Sequence, residues 1–195
     1  MLRIQSISLT QFKNYSSQSF KFNKRIIGIC GNNGAGKTNL LDSIYYLCFT
    51  KSYFSRIETV NVQQGQSGFR LEGDFVFNNA TEKAVCILRE TGKKELSIND
   101  ILYEKLSEHI GRYTCVMIAP DDAQLITGGS EERRRFLDAL LSQLDADYLK
   151  HLIVYNKILR QRNSLLASFA ETGNRNLPLL DVLNEQLIKP GNFIF

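Results

Sequence analysis

No run of 18 apolar residues occurs anywhere in this 195-residue chain, so it carries no hydrophobic segment of membrane-spanning length. Its start, MLRIQSISLTQF, alternates polar and apolar residues and does not form an apolar block closed by small ones, which argues against a secretory leader. No C-x-x-C pair exists among Cys30, Cys48, Cys86 and Cys115, which argues against a zinc site. Three of the four sit in apolar runs, and the expectation is buried, reduced thiols in a cytoplasmic protein. Internal repeats and low-complexity tracts are missing too, as are a recognition helix and an aromatic platform for stacking bases. His109 and His151 stand alone, and a structural or exposed role is expected for both.

What is present is an ordinary globular composition with charge unevenly spread. The chain is 43% hydrophobic and 23% charged, with a net charge of +4. Residues 1–57 hold eight Lys and Arg against one acid, Asp42; residues 58–128 hold seven against eleven, and 129–195 nine against eight. A basic first third suits an anionic ligand such as nucleotide or nucleic acid, although a solvated surface explains it equally well.

The hydrophobic pattern predicts an early strand in LRIQSISLTQF, a turn at 14–17 and further extended chain in SFKF. RIIGIC (25–30) and YTCVMIAP (113–120) read as short buried strands. Between them, residues 38–49 put Leu40, Leu41, Ile44, Tyr45, Leu47 and Cys48 on one helical face. FRLEGDFVF (69–77), AVCILRE and ELSIN then form an antiparallel meander separated by the turns Asn78-Asn79 and Thr91-Gly92. Ser130 is expected to cap a helix with Glu131 and Glu132 in its first turn. Asp145 or Asp147 caps a longer helix whose apolar residues (Tyr148, Leu152, Tyr155, Leu159, Leu166, Phe169) suit pairing with another helix.

The residues with most chemistry in them are Gly31-Asn32-Asn33-Gly34-Ala35-Gly36-Lys37-Thr38, which match G-x-x-x-x-G-K-[ST] at every fixed position. Glycines let consecutive backbone N–H groups turn onto phosphate oxygens, where side chains would intrude. Lys37 is placed to reach the β- and γ-phosphates and the Thr38 hydroxyl to bind Mg²⁺, while the following helix points its positive end at the anion. ATP with Mg²⁺ is therefore the expected ligand.

The surrounding residues narrow the class. LTQFKNY, GNNGAGKTNLLDSIYYL and TKSYFSR, then INDILYEKLSEHIGRYTCVMIAPDDAQLITGGSEERRRFLDALL and YNKILRQRNSLL, resemble in order and spacing the RecF family of bacterial recombination mediators, related to SMC ATPases and more distantly to ABC transporters. That resemblance implies an α/β P-loop NTPase fold of ABC/SMC type: a mixed sheet with an antiparallel meander in an ATP-binding lobe (1–120), then the beginning of a helical lobe (121–195). It also implies a role in DNA replication, recombinational repair and SOS induction, and ATP-driven homodimerisation around single-stranded DNA or a junction. Partners of the RecO and RecR kind are implied as well. Lys13, Asn14 and Tyr15 become candidates near the adenine. Lys13 stands where arginine is common in the family, and Ser130-Glu131 replaces a frequent proline.

Hydrolysis in such proteins uses a Ser-x-Gly-Gln signature, an apolar strand ending in paired acids and a histidine switch, none of which is found convincingly here. The chain stops at KPGNFIF, so a fragment that binds ATP without turning it over is expected. Asp121 and Asp122, after an apolar run, are alternative magnesium ligands. They would serve a rival reading as a small self-contained nucleotide kinase, and a non-catalytic, partner-binding remnant is a third. Arg133, Arg134 and Arg135 are candidates for DNA phosphates, or for ion pairs with Glu131, Glu132 and Asp138.

Overall fold

The computed structural model describes residues 2–173 and 175–195. The chain divides into two compact units, 1–117 and 118–195.

The first unit is built on β1 (Arg3–Phe12), β2 (Tyr15–Lys21), α1 (Lys37–Phe49), β3 (Phe69–Phe77), β4 (Ala80–Leu88), β5 (Lys94–Ile98) and β6 (Ile101–Leu102). The strands form one six-stranded sheet in the order β2-β1-β3-β4-β5-β6, antiparallel at every pairing. Alternation dictates which face is covered. Ile7, Leu9 and Phe12 of β1, Phe69, Leu71 and Phe75 of β3, and Leu96 and Ile98 of β5 are all buried. The tight turns 78–79 and 99–100 use two positive-φ residues each (Asn78-Asn79 and Asn99-Asp100), as two-residue hairpins require.

Helix α1 lies against this face. Tyr46 meets Phe12 and Phe69 edge-on, with ring centroids 5.9 and 5.3 Å apart. Gly73 lets the helix come close, because a Cβ there would sit 2.7 Å from Leu47 Cδ1. Helix and sheet are also tied by His109, fully buried between Tyr103 and Tyr113, whose Nε2–H donates to the Leu47 carbonyl at 2.7 Å. Its Nδ1 is buried without a hydrogen-bond partner.

Burial lowers the His109 pKa from its ordinary value of 6.5, so the unfolded chain takes up a proton at a pH where the folded unit resists it. The sign follows: this contribution to stability is intact above pH 6.5 and is lost as pH falls through the folded pKa. The unfolding free energy of this unit from urea titrations is expected to be flat from about pH 8 to 6.5, then to fall by up to about 1.4 kcal/mol per pH unit below it. His109→Gln should flatten that acid limb, and an unchanged slope would remove the histidine from the account.

Two segments depart from expectation. Residues 25–30 and 113–120 read as buried strands in the sequence, but neither forms a strand with a ladder partner among the described residues. Ile26 is 88% exposed and Val116 64%. Their sequences have the composition of buried strands, but burial needs a neighbouring strand, and the described residues supply none. Cys30 is correspondingly exposed and Cys115 half-buried, whereas Cys48 and Cys86 are buried as expected.

The second unit is helical: α2 (Gln124–Thr127), α3 (Ser130–Leu144), α4 (Ala146–Thr172) and α5 (Leu177–Ile194). Asp145 caps α4 by accepting from the backbone N–H of Asp147 and Tyr148. Ser130 does not cap α3; it is the first helical residue, and Gly129 stands at the cap position without a side-chain bond. Helices α4 and α5 pair through a stacked His151–Phe193, an edge-on Tyr155–Phe195 and an Arg162–Asn184 hydrogen bond of 2.7 Å. No helix is long and apolar enough to cross a membrane among the described residues.

Candidate nucleotide-binding site

The loop 31–36 leads directly into α1, with Gly36 at the helix N-cap. Gly31, Gly34 and Gly36 all have positive φ, at 149°, 81° and 96°. Gly36 is the most constrained, because a Cβ would come within 2.6–2.9 Å of the Asn14 amide and Tyr15 Cζ. Lys37 arches back over the loop and donates to the carbonyls of Gly31 (2.9 Å) and Asn32 (2.8 Å). The first turn of α1 contains no acid, so its positive end is uncompensated. Asn33, Gly34, Gly36, Lys37, Thr38 and Asn39 line a depression of about 320 Å³ at this helix end, with Thr38 exposed to it.

The β1–β2 hairpin packs on the same helix end. Its two-residue turn, Lys13-Asn14, places Asn14 Oδ1 to accept from Asn39 Nδ2 at 2.8 Å, and Tyr15 donates its hydroxyl to the Gly36 carbonyl at 3.0 Å. Lys13 is held otherwise: its ammonium pairs with the fully buried carboxylate of Asp42. Asp42 also accepts from the Ser52 hydroxyl and the Tyr53 N–H, both at 2.7 Å. This carboxylate therefore joins the hairpin, α1 and the loop after α1. A second depression of about 590 Å³ is lined by Lys13, Asn14, Asn39, Val60, Val62, Gln63 and Gln64. Asn39 borders both hollows.

The remaining candidates lie in the second unit. Asp121 and Asp122 sit in a 3-10 turn, where Asp122 accepts from the Ala119 N–H at 2.6 Å and so closes its own turn. No cluster of three or more His, Cys, Asp or Glu able to hold a metal occurs among the described residues. Arg133 donates to the Leu125 and Gly128 carbonyls, Arg134 lies over the Phe195 ring at 5.7 Å, and Arg135 pairs with Glu131. All three guanidinium groups remain on exposed residues.

The AAA domain family matches residues 6–187. The chain belongs to that family. Within it, the chain resembles the N-terminal portion of RecF proteins. It is 42% identical over 194 residues to the DNA replication and repair protein RecF of Flavobacterium johnsoniae, covering all of this chain and 54% of that one. It is 39% identical over 192 residues to the RecF of Parabacteroides distasonis, covering 98% and 52%. Among solved structures, the recombination mediator RecF bound to ATPrS superimposes with a TM-score of 0.91 at 29% identity, over 99% of this chain and 52% of that one. An SMC head domain from Pyrococcus furiosus, at a TM-score of 0.56 and 18% identity over 100% of this chain and 58% of that one, shares the fold. The chain spans about half the length of the curated relatives it matches. The P-loop fold and the likeness to RecF expected from the motifs are thereby borne out.

Sequence reasoning missed Asp42, which carries no motif. Its only signal was that it is the sole acid in the first 57 residues. Val60, Val62, Gln63 and Gln64, which line the larger hollow, gave no signal at all.

Proposed function

We propose that this chain is the ATP-binding part of a RecF-like protein of DNA replication and recombinational repair, which holds nucleotide without completing its hydrolysis. The observation that carries this is the Gly31–Thr38 loop with Lys37 arched across it at an uncompensated helix N-terminus. Phosphates take the place of the two carbonyls that Lys37 now engages, and backbone N–H groups of the loop complete the cradle. Mg²⁺ fits beside them, since the exposed Thr38 hydroxyl opens into the same hollow; it would neutralise phosphate charge. The base lies toward the larger hollow past Asn39, with Asn14 as its nearest polar contact from the hairpin. Tyr15 supports the loop from behind, and Lys13 acts only through Asp42.

In the longer relatives, ATP would close two copies around DNA, with salt-sensitive phosphate contacts from arginines such as Arg133–Arg135, and recombination mediators of the RecO and RecR kind as partners. A cytoplasmic location and a part in SOS induction fit that role. Segments 25–30 and 113–118 support the same reading, because the apolar side chains exposed there, such as Ile26 and Val116, are ready to enter a larger sheet.

Purified chain with ATP and Mg²⁺ is expected to bind nucleotide and to release phosphate only at the rate of a protein-free control. Turnover above that rate, abolished by Lys37→Ala, would show a self-sufficient enzyme and refute the proposal.

A further inference from the structure

Asn33-Gly34 is the only asparagine–glycine pair in the chain, and it sits inside the phosphate loop. Both residues are exposed. A turn closed by the Ala35 N–H on the Asn32 carbonyl at 3.3 Å carries the pair at its two central positions, with Gly34 at φ 81°. Nothing lies within 4 Å of where a Gly34 side chain would be. Neither the Asn33 amide nor the Gly34 N–H makes a hydrogen bond among the described residues. Other asparagines are held more firmly. Asn99 Oδ1 accepts from the Lys83 N–H and Asn14 Oδ1 from Asn39, Asn61 is buried, and Asn156 and Asn163 lie within α4, where the next N–H is spent on a helical bond.

We propose that Asn33 is a self-modifying residue of the phosphate loop, converted through a cyclic imide to an aspartyl or isoaspartyl residue. The reacting atoms, Asn33 Cγ and the Gly34 nitrogen, belong to one dipeptide, so covalent connectivity alone keeps them within reach. Hydroxide takes the Gly34 N–H proton, and the nitrogen attacks Cγ. The bond from Cγ to the side-chain nitrogen breaks, and that nitrogen takes a proton from water and leaves as ammonia, which restores the hydroxide. Water then adds to one of the two imide carbonyls. Opening at Cγ leaves an aspartyl residue, and opening at the backbone carbonyl leaves an isoaspartyl link through the side chain. In sum, one side-chain amide and one water give one carboxylic acid and one ammonia. Gly34 favours the attack, because a side chain there would crowd it. So do the neighbours: α1 begins just beyond with no acid in its first turn, and the Lys37 ammonium lies against the same loop, so both stabilise an anionic nitrogen.

A carboxylate at position 33 borders the hollow that Asn33 helps to line. On the reading that this hollow holds phosphate, the new charge repels the ligand, and the isoaspartyl form also lengthens the loop backbone. Phosphate in the cradle engages the Gly34 N–H and stops the reaction, so an unliganded loop ages and a liganded one does not.

Ageing the folded chain without nucleotide at mildly alkaline pH, then digesting with trypsin and reading peptide 26–37 by mass and isoaspartyl content, tests this directly. Conversion at Asn33 is expected to exceed that at any other asparagine by at least about tenfold. It should run within about threefold of its rate in the urea-unfolded chain, since the loop holds neither reacting group in a bond. Asn33→Gln should slow it about a hundredfold, because glutamine must close a six-membered ring. The aged chain should bind ATP at least about tenfold more weakly than fresh chain, while Asn33→Gln aged alongside keeps its own starting affinity. A folded chain that spares Asn33 while the unfolded chain converts it, or conversion spread evenly over the asparagines, would overturn the proposal. Conversion at Asn33 that saturating ATP and Mg²⁺ do not slow upholds it and counts against the nucleotide reading instead, so the two fail separately.

Discussion

Lys37→Ala is expected to weaken ATP binding about a hundredfold, measured by calorimetric titration of the chain with ATP and Mg²⁺. The ammonium donates to the carbonyls of Gly31 and Asn32, so it is not an unpaired cation. Binding exchanges two neutral carbonyl acceptors for anionic oxygens, and the gain is the difference between the two sets. Both sets are charge-assisted by the ammonium, so each exchange gains only the further pull of an anionic acceptor, about 1 kcal/mol. Two such exchanges, with the Coulomb attraction at a helix end added, come to about 3 kcal/mol, or roughly a hundredfold in Kd. The fold should hardly notice, because those bonds lie on the exposed side of the loop; a melting temperature within a few degrees of the parent is expected. Affinity within about threefold of the parent would mean that Lys37 braces the loop and does not grip the ligand.

That lysine was legible because its job is local. The glycines, the lysine and the helix start occupy eight consecutive residues, so spacing along the chain fixes spacing in space. Strand β3 was legible for a similar reason. Phe69, Leu71, Gly73 and Phe75 alternate with polar residues, and one alternating face is the whole requirement for a strand lying on a helix.

The hidden features depend on groups far away in sequence. Residues 25–30 and 113–118 have the composition of buried strands, but composition describes what a segment would cover and not whether a neighbour arrives to be covered by it. Helix α1 shows the converse. Its periodicity places Leu41 on the core face and gives Asp42 no special place, yet Leu41 is 46% exposed and Asp42 is fully buried. A carboxylate can be buried only where partners compensate its lost hydration, and those partners come from positions 13, 52 and 53. No window centred on the helix contains Lys13. Ser130 failed at smaller scale: it has the right chemistry for a cap, but the helix starts one residue earlier than a serine cap would require.

Asp42 accordingly carries the largest expected effect on stability. Asp42→Ala leaves the Lys13 ammonium, only 12% exposed, without its counter-charge, and releases both the Ser52 hydroxyl and the Tyr53 N–H. Breaking one partner of a buried pair costs about 3–5 kcal/mol, which for a unit of this size lowers the melting temperature by roughly 10–20 °C. Lys13→Met should be nearly as harmful, since it strands the carboxylate instead. The double variant Lys13→Met/Asp42→Ala separates electrostatics from packing: with no buried charge left, it should be less damaging than the sum of the single changes by about 1.5–3 kcal/mol. Recovery stays partial because Ser52 and Tyr53 remain released. Simple additivity would indicate that the two side chains contribute as volume and not as a pair. The nucleotide site feels the loss through the hairpin turn. Lys13 anchors the turn whose next residues, Asn14 and Tyr15, press on Asn39 and Gly36. Asp42→Ala should therefore weaken ATP binding as well, but less than Lys37→Ala does, because it loosens the cradle without removing a phosphate contact.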